Sequence, residues 1–324
     1  MITHSIKISI VIPTLNVESS IRDCIKSLIN QNFSKDQYEI IVVDGESKDN
    51  TFKILKEYSK HISIHVYKGG VSCGRNKGIE VSKGNIIAFT DGDCIAEKNW
   101  IKELYSKFET DTLKCVGCVV GNIIPHDGKT IFEIFALKNE ILSQKKTMNS
   151  DFLPYGQTAN VSFRKEVFDN IGKFDETINS GEDADIAWRM QLETNYKLVY
   201  CQESIVKHCH RTSLKGLAKQ CFKYGIGKSV LYKKFSKSII TSTNTNKSNV
   251  NKNLINNLSK LTEFSICILP RLFLNSLKRL TGSCDKYQMY EPLLMCVYTF
   301  SYGLGKIYGS LKLRNSVFSA IFLK

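Results

Sequence analysis

The chain has 324 residues, of which 42% are hydrophobic, and its formal net charge is +14. This length supports one large domain with an appendage. The eleven cysteines are odd in number and irregularly spaced, which excludes a small disulfide scaffold and favours reduced thiols. The charge is uneven: residues 1–206 hold 25 basic and 28 acidic residues, and residues 207–324 hold 20 and three. A basic tail of this kind favours an anionic partner.

Four β-branched runs alternate with helical segments in the first part of the chain. Each run ends at a Pro, Asp or Gly signal, and they cover residues 7–12, 38–44, 62–67 and 85–90. The opening run is too short for a signal peptide and is interpreted as the first strand. Residues 18–31 carry apolar side chains at steps of three and four, which predicts an amphipathic helix. The alternation predicts a doubly wound, mostly parallel α/β sheet, whose ligands bind beyond the carboxyl ends of the strands.

Polar residues follow the first two predicted strands. Residues 13–16 form a turn after the first strand, and Asp44 closes the second. The Asp44 carboxylate can accept a hydrogen bond from a base imide or a ribose hydroxyl. Ser47 and Asp49 are alternatively suited to capping the next helix. The two roles use different residues, so both remain open.

A glycine-rich stretch at residues 69–78 enters a helical pattern. It lacks the Lys and Ser or Thr that follow the last glycine of a phosphate-binding P-loop, and GxGxxG is also missing. Arg75 and Lys77 still place positive charge beside the expected crevice. We expect them to neutralise a diphosphate there.

Two carboxylates, Asp91 and Asp93, meet at the tip of the fourth strand. An isolated DxD sequence is most often a solvated turn, but at the carboxyl edge of a sheet it suits a hard divalent cation such as Mg²⁺ or Mn²⁺. Gly92 removes a side chain that would crowd the metal. Such a cation stabilises a departing diphosphate by charge compensation.

A second acidic cluster, Glu182 and Asp183, opens a predicted helix over residues 182–194. Asp185 and Arg189 are spaced for an ion pair four residues apart. The partial positive charge of the helix N-terminus is expected to keep Asp183 ionised at pH 7, ready to take a proton from a sugar hydroxyl. The alternative is the ordinary enrichment of acids at helix starts.

Two histidines, His208 and His210, follow a short predicted strand. Alternation along an extended segment places both side chains on one side. One of them could complete the coordination of the metal or contact a phosphate, and a structural role is equally open.

Five short motifs, in order and spacing, resemble the family 2 glycosyltransferases. They are VIPTLN at 11–16, VVDGESKDNT at 42–51, GRNKG at 74–78, AFTDGD at 88–93 and GED at 181–183. The resemblance covers about residues 7–211 and implies a GT-A fold that uses a nucleotide-sugar donor and Mn²⁺ or Mg²⁺.

The resemblance also implies roles for individual residues. Asp91 faces the ribose or the metal, Asp93 ligates the metal, His208 is a candidate further ligand, and Asp183, with Glu182 beside it, is the catalytic base. The nucleotide site is implied at Pro13, Thr14, Asn16, Glu18, Asp44 and Arg75. The acceptor pocket is implied at Gly156, Gln157, Asn160 and Arg164, ahead of the FDE turn at 174–176.

Two departures from the family pattern bear on specificity. Glu46 stands where the family usually has glycine, which could alter base or ribose contacts and leaves the identity of the donor open. The QxxRW signature of polymerising members is missing after residue 183. We therefore expect one sugar to be added per encounter, by inversion.

The remainder of the chain is divided by composition. We predict a catalytic domain over 1–211, a basic amphipathic helix over 212–235, a polar linker over 236–260 and an apolar helical region over 261–324. The apolar segments 264–281 and 292–305 are shorter than a typical membrane span. We expect peripheral or monotopic attachment to the cytoplasmic face of an anionic membrane, with a glycan or lipid-linked acceptor. The alternative is a helical subdomain that packs within the protein.

Other classes of function fit the sequence less well. A sugar-phosphate nucleotidyltransferase also uses an α/β sheet and a metal, but its glycine-rich signature is not visible. A nucleic-acid-binding protein has only the charge in its favour, and no nucleic-acid partner is expected. A third class is a sugar-nucleotide-binding protein without catalytic activity. The presence of both Asp93 and Asp183 argues against this class, because such a protein would not need them.

Overall fold

The structure, a computed structural model, describes residues 5–126, 130–243, 274–276, 278–279, 282–283 and 285–322, with the backbone alone at 240–243 and 313–322. The chain forms two compact units, of which the first comprises residues 1–126 and 142–209 and the second 127–141 and 210–324. The predicted domain boundary at residue 211 lies two residues from the observed one. The described residues of 127–141, which we predicted within the first domain, belong to the second unit.

In the part of the chain described, the first unit contains one mixed sheet of eight strands. They are β1 (Ile8–Thr14), β2 (Tyr38–Asp44), β3 (Ser63–Val66), β4 (Ile86–Phe89), β5 (Cys94–Ala96), β6 (Val116–Pro125), β7 (Val161–Arg164) and β8 (Lys197–His208). Their order is β3-β2-β1-β4-β7-β6-β8-β5. The four strands from β3 to β4 are parallel, and β7 is antiparallel to β4. The predicted α/β sheet is confirmed.

Helices flank this sheet in the first unit, and other helices form the second unit. Those of the first unit are α1 (Ile21–Ile29), α2 (Thr51–Glu57), α3 (Val71–Val81), α4 (Trp100–Glu109), α6 (Gln144–Met148), α7 (Lys165–Ile171) and α8 (Glu182–Glu193). Those of the second are α5 (Ile131–Lys138), α9 (Leu214–Lys234), α10 (Ser236–Thr243) and α11 (Lys286–Phe322). The ion pair expected in α8 is present, with Arg189 Nε 2.9 Å from Asp185 Oδ2.

Alternate side chains of β1 are buried on opposite faces of the sheet. Ile10 and Ile12 belong to one hydrophobic cluster, and Val11 belongs to another on the opposite face. Helix α3 lies so close to the second face that a Cβ at Gly78 would come within 2.2 Å of Val11 Cγ1. This close approach fixes the helix that carries Arg75 against the centre of the sheet.

Helices α5, α9 and α11 form the core of the second unit. Phe135, Leu217 and Leu294 are buried there together with Cys221 and Tyr287. The long helices cross at glycines, because a Cβ at Gly225 would lie 2.1 Å from Tyr302 O and a Cβ at Gly305 would lie 2.0 Å from Phe222 O. The absence of side chains at these two positions lets the backbones touch.

The structure corrects one boundary in this region and leaves others open. Residues 236–243, which we predicted as the start of a polar linker, form helix α10. The rest of the predicted linker, 244–260, lies outside the described residues, as does most of segment 264–281. Segment 292–305 lies within α11. Over the described ranges, no helix is both long enough and apolar enough to cross a membrane.

Candidate active site

The carboxyl ends of β1, β2 and β4 lie side by side. Thr14 stands opposite Asp44 in parallel register, and Val11 stands opposite Phe89 near the end of β4. The turns that follow these strands therefore meet at one edge of the sheet, as the strand pattern predicted.

Asp44 links the turns after β1 and β2. Its Oδ2 accepts a hydrogen bond from the Ser47 backbone N–H at 2.9 Å. Its Oδ1 accepts from the Ser47 hydroxyl at 2.6 Å and from the Thr14 hydroxyl at 3.3 Å. Ser47 thus bonds Asp44 and does not cap the following helix, whereas Asp49 accepts from the Thr51 backbone N–H at the start of α2. The contact of Asp44 with a base or ribose stays a prediction.

Asn16 and Glu18 extend this link between the turns. Asn16 Oδ1 accepts a hydrogen bond from the Lys48 N–H at 2.8 Å. Glu18 Oε2 accepts from both the backbone N–H and the side-chain amide of Asn50, each at 2.8 Å. Asn16 and Glu18, which we predicted to line a nucleotide site, therefore join the two turns by bonds between segments about thirty positions apart.

Backbone conformation explains why the family usually has glycine at the position of Glu46. Its φ is 63°, in the left-handed region, and Asn16, in the turn after β1, has φ 53°. Glycine adopts this conformation without steric cost, and asparagine tolerates it better than most residues. The glycine usual in the family thus fits the turn itself, and glutamate occupies it under strain.

Arg75 joins the two acidic clusters. Its Nη1 donates to Glu182 Oε1 at 2.7 Å, and its Nη2 donates to Asp91 Oδ1 at 3.2 Å. Burial acts to lower the pKa of this guanidinium, but the carboxylates of Asp91 and Glu182 outweigh burial and raise it. Its side chain is only 3% exposed. Arg75 thus bridges residues 91 and 182 as an enclosed side chain, and its direct contact with a diphosphate stays a prediction.

Asn76 is a positioning residue that the sequence analysis missed. Its Oδ1 accepts from the Phe174 N–H and its Nδ2 donates to the Phe174 C=O, each at 2.9 Å. The amide also donates to Glu176 Oε1. Asn76 thereby fixes the FDE turn on α3, ahead of the GED sequence. Its place beside Arg75 in the GRN motif was the signal that could have identified it.

Asp183 lies in the first turn of α8, half-buried. Burial raises the pKa of its carboxyl to about 7, and the neighbouring Glu182 carboxylate adds to the rise. The Ala184 N–H, 2.8 Å from Asp183 Oδ1, and Arg75 oppose it. Burial thus opposes the helix N-terminus, which we expected to keep Asp183 ionised at pH 7, and a pKa of about 7 leaves part of this carboxyl protonated at that pH. A carboxyl with a pKa near neutrality is suited to accept a proton.

Asp93 and His208 form a candidate metal centre. Asp93 Oδ1 lies 3.4 Å from His208 Nε2, and the Cys94 thiol completes a group whose ligand atoms lie within 4.8 Å of one another. The carboxylate oxygen and imidazole nitrogen suit Mn²⁺, and carboxylate oxygen also suits Mg²⁺. Burial raises the pKa of the Cys94 thiol well above its ordinary value. The predicted pair of residues 93 and 208 thus fits a divalent cation.

Gly92 and His210 differ from their predicted roles. A Cβ at Gly92 would meet Val17 and Thr14 side chains at 3.1 and 3.2 Å, so its smallness serves packing beneath the turn. Strand β8 ends at His208, so strand alternation does not extend to His210. His208 alone is placed beside Asp93 by the strand.

Three of the residues predicted to bound the acceptor pocket have structural contacts. Asn160 is fully buried, where it accepts from Trp100 Nε1 at 2.7 Å and donates to the Asn122 carbonyl at 2.7 Å. A Cβ at Gly156 would lie 2.6 Å from Val120 Cγ2. The Gln157 N–H donates to Gln144 Oε1 at 2.8 Å. These contacts are structural, and a contact of these three residues with an acceptor stays a prediction.

Arg164 lies at the end of the sheet opposite the candidate site, where it cannot contact an acceptor. Strand β7 is antiparallel to β4, so Arg164 pairs with Ile86 at the amino end of β4, away from Asp91. Its guanidinium donates to Asp111 Oδ2 at 3.1 Å and to the Val116 carbonyl at 2.8 Å. The acceptor role of Arg164 is therefore wrong, because the direction of β7 was not apparent from the sequence.

Comparison with known proteins is consistent with this geometry. The model of Glycosyl transferase family 2 matches residues 9–172. Glycosyltransferase AglE of Haloferax volcanii is 29% identical over 226 residues, which cover 68% of this chain and 72% of that protein. EpsJ of Bacillus subtilis, an uncharacterized glycosyltransferase, is 36% identical over 115 residues, 34% of this chain and 33% of that protein. These similarities favour a glycosyltransferase over a nucleotidyltransferase.

Solved structures share the fold at low sequence identity. The mannosyltransferase PcManGT from Pyrobaculum calidifontis, in complex with GDP-Man and Mn²⁺, superposes with a TM-score of 0.63 at 14% identity and covers 94% of this chain and 88% of its own. TarS residues 1–349 from S. aureus, in complex with UDP-GlcNAc, gives 0.51 at 17% identity and covers 93% and 90%. Both support the predicted GT-A fold.

Proposed function

Since this chain belongs to glycosyl transferase family 2 and is therefore a glycosyltransferase, we propose that it moves one sugar per encounter from a nucleoside-diphosphate donor to an acceptor hydroxyl. Nucleotide sugars are bound by two proteins of the same fold, as GDP-Man and UDP-GlcNAc. We take UDP as the nucleotide and a glycan or lipid-linked glycan as the acceptor.

The bridge made by Arg75 is the observation that carries this proposal. A single guanidinium contacts Asp91, two residues before the metal candidate, and Glu182, one residue before the candidate base. Two clusters ninety positions apart in the chain are thereby held at one site. A base and a leaving-group site need this proximity to act on opposite faces of one sugar carbon.

Asp183 is the proposed base. Its carboxylate takes the proton of the acceptor hydroxyl while that oxygen forms a bond to the anomeric carbon. The bond from the anomeric carbon to the diphosphate oxygen breaks, and its electron pair leaves with the nucleoside diphosphate. Attack from the face opposite the leaving group inverts the anomeric configuration.

Asp93 and His208 would hold the divalent cation, with Asp91 beside them. When bound, a Mn²⁺ or Mg²⁺ ion supplies positive charge that stabilises the departing diphosphate. Asp44, Thr14, Asn16 and Glu18 would receive the nucleoside. Arg75 keeps the acidic residues in place.

Thermal shift with nucleotides tests donor and cation binding together. A ligand that binds the folded state raises the melting temperature, and at one ligand concentration the increase is larger for a tighter ligand. We expect UDP to stabilise the protein with Mn²⁺ present and much less without it, and Asp93→Asn to abolish the difference. The exposed Asp169→Asn is the matched control, and it should behave as the wild type. Equal stabilisation by UDP with and without Mn²⁺ would contradict the cation site.

The second unit is the proposed membrane-binding part. Helix α9 exposes Lys215, Lys219 and Lys223 at four-residue spacing. Helix α11 exposes a stripe of apolar side chains at helical spacing, Phe300, Leu304, Tyr308 and Leu311. Basic and apolar surface in one unit suits the interface of an anionic lipid bilayer. We propose peripheral or monotopic attachment at the cytoplasmic face, which would bring the site to a lipid-linked acceptor.

Vesicle sedimentation tests the membrane proposal. The full-length protein should sediment with vesicles that contain phosphatidylglycerol and remain in solution with phosphatidylcholine alone. Leu304→Ser combined with Leu311→Ser should reduce binding several-fold, whereas Leu192→Ser, an exposed leucine of the first unit, should not. Binding that is independent of both lipid charge and the stripe would refute the proposal.

A further inference from the structure

A cysteine lies where the candidate metal centre needs a third ligand. Cys94 begins β5 and stands directly opposite His208 in the antiparallel pairing with β8. Directly opposed residues project their side chains to the same face of a sheet. Asp93, which precedes the strand, places its carboxylate at the same point, so three donors of different chemistry converge: oxygen, sulfur and nitrogen.

The distances match a shared cation. A tetrahedral zinc ion with bonds of about 2.0–2.3 Å holds its ligand atoms about 3.3–3.6 Å apart. Asp93 Oδ1 and His208 Nε2 are already 3.4 Å apart, and the Cys94 sulfur lies within 4.8 Å of both. The distances from the Cys94 sulfur thus exceed those around a shared zinc ion by at most about 1.2 Å.

The sulfur determines which ions the site prefers. Mg²⁺ and Mn²⁺ favour oxygen donors, whereas a thiolate with an imidazole selects Zn²⁺ and related soft cations. Three protein ligands with a fourth position open to water form a common zinc arrangement. On binding, a metal–sulfur bond replaces the S–H bond, and the thiol proton leaves to solvent.

We propose that Asp93, Cys94 and His208 form a site for a thiophilic divalent cation and that the ion bound there is Zn²⁺. This site shares Asp93 and His208 with the cation of the proposed function, so the two ions exclude each other. Zn²⁺ bound here should therefore inhibit sugar transfer, and this expectation rests on the proposed function. The existence of the zinc site does not rest on the proposed function, since the site is tested without donor or acceptor.

Cobalt spectroscopy tests the sulfur ligand. Co²⁺ added to the wild-type protein should produce a thiolate-to-cobalt charge-transfer band in the near ultraviolet, and one equivalent of Zn²⁺ should remove it, whereas excess Mg²⁺ should not. Cys94→Ala should lack the band and bind Zn²⁺ at least about tenfold more weakly, as expected for the loss of one of three protein ligands. Cys118→Ala is the matched control, because Cys118 is also a fully buried strand cysteine, and it should keep the band.

A measurement on the wild-type protein covers the case in which Cys94→Ala does not fold. X-ray absorption of the zinc complex should show one sulfur at about 2.3 Å from the metal. Absence of the sulfur shell, or a cobalt band and zinc affinity unchanged in a folded Cys94→Ala protein, would overturn the proposal. Neither result depends on whether the protein transfers a sugar, so failure of this site and failure of the proposed activity are distinguishable.

Discussion

Single residues set the chemistry of the site through burial. Arg75 is almost fully enclosed and is compensated by the carboxylates of Asp91 and Glu182. Removing one member of such a group leaves the remaining buried charge uncompensated, which costs more than the pair itself contributes. Burial favours the neutral form of both Arg75 and Asp183; the neighbouring carboxylates outweigh it at Arg75, which stays charged, whereas burial prevails at Asp183 and raises its pKa.

The pH dependence of turnover follows from the raised pKa of Asp183. A base must be deprotonated, so kcat/KM should increase with pH up to about 7 and then level off. An ordinary aspartate would already be ionised at pH 5. The initial rate at low donor concentration and saturating cation, measured from pH 5 to 8.5, checks this. A flat profile over that range would show that Asp183 is not a base with a raised pKa.

The strained turn at Glu46 gives a stability prediction. A left-handed conformation costs a residue with a Cβ about 1–2 kcal/mol, part of which glycine loses again through its greater freedom in the unfolded chain. Glu46→Gly should therefore raise the free energy of unfolding by about 0.5–1 kcal/mol. Glu46→Ala keeps the strain and should give no gain. Urea denaturation of the three proteins checks this, and equal effects of Gly and Ala would contradict it.

At the scale of elements, helix α3 organises the site. Gly78 brings it onto β1, Arg75 contacts the acidic clusters, and Asn76 holds the backbone of Phe174. Three positions of one short helix thus connect the sheet to the segment that leads into α8. In the second unit, glycines have a comparable role between α9 and α11.

The α9–α11 crossing should not tolerate a methyl group. In Gly305→Ala the new Cβ would lie 2.0 Å from the Phe222 carbonyl oxygen, which is backbone and cannot rotate away. We expect a loss of about 1–3 kcal/mol in the free energy of unfolding, typical of overpacking. Lys312→Ala, an exposed change on the same helix, should lose less than about 0.5 kcal/mol. A denaturation midpoint for Gly305→Ala equal to that of the wild type would contradict the close crossing.

At the scale of the whole molecule, periodicity predicted the fold well and the partners of side chains poorly. The pattern YEIIVVD predicted β2 with its observed bounds, because β-branched residues in a buried parallel strand leave a clear signature. Arg75 looked like an exposed phosphate ligand, since its carboxylate partners lie 16 and 107 positions away. The antiparallel direction of β7 and the assignment of residues 131–138 to the second unit likewise depend on tertiary contacts.

The central claim is that Asp183 and the Asp91–Asp93 cluster act on one sugar, with Asp183 as the base. The most direct test compares turnover and donor binding in Asp183→Asn, which keeps the shape of the side chain and removes its basicity. We expect kcat to fall by about 10³-fold or more while the affinity for the nucleotide with Mn²⁺ stays within about twofold. Asp169→Asn should leave both unchanged. A folded Asp183→Asn protein with near-normal turnover would contradict the account.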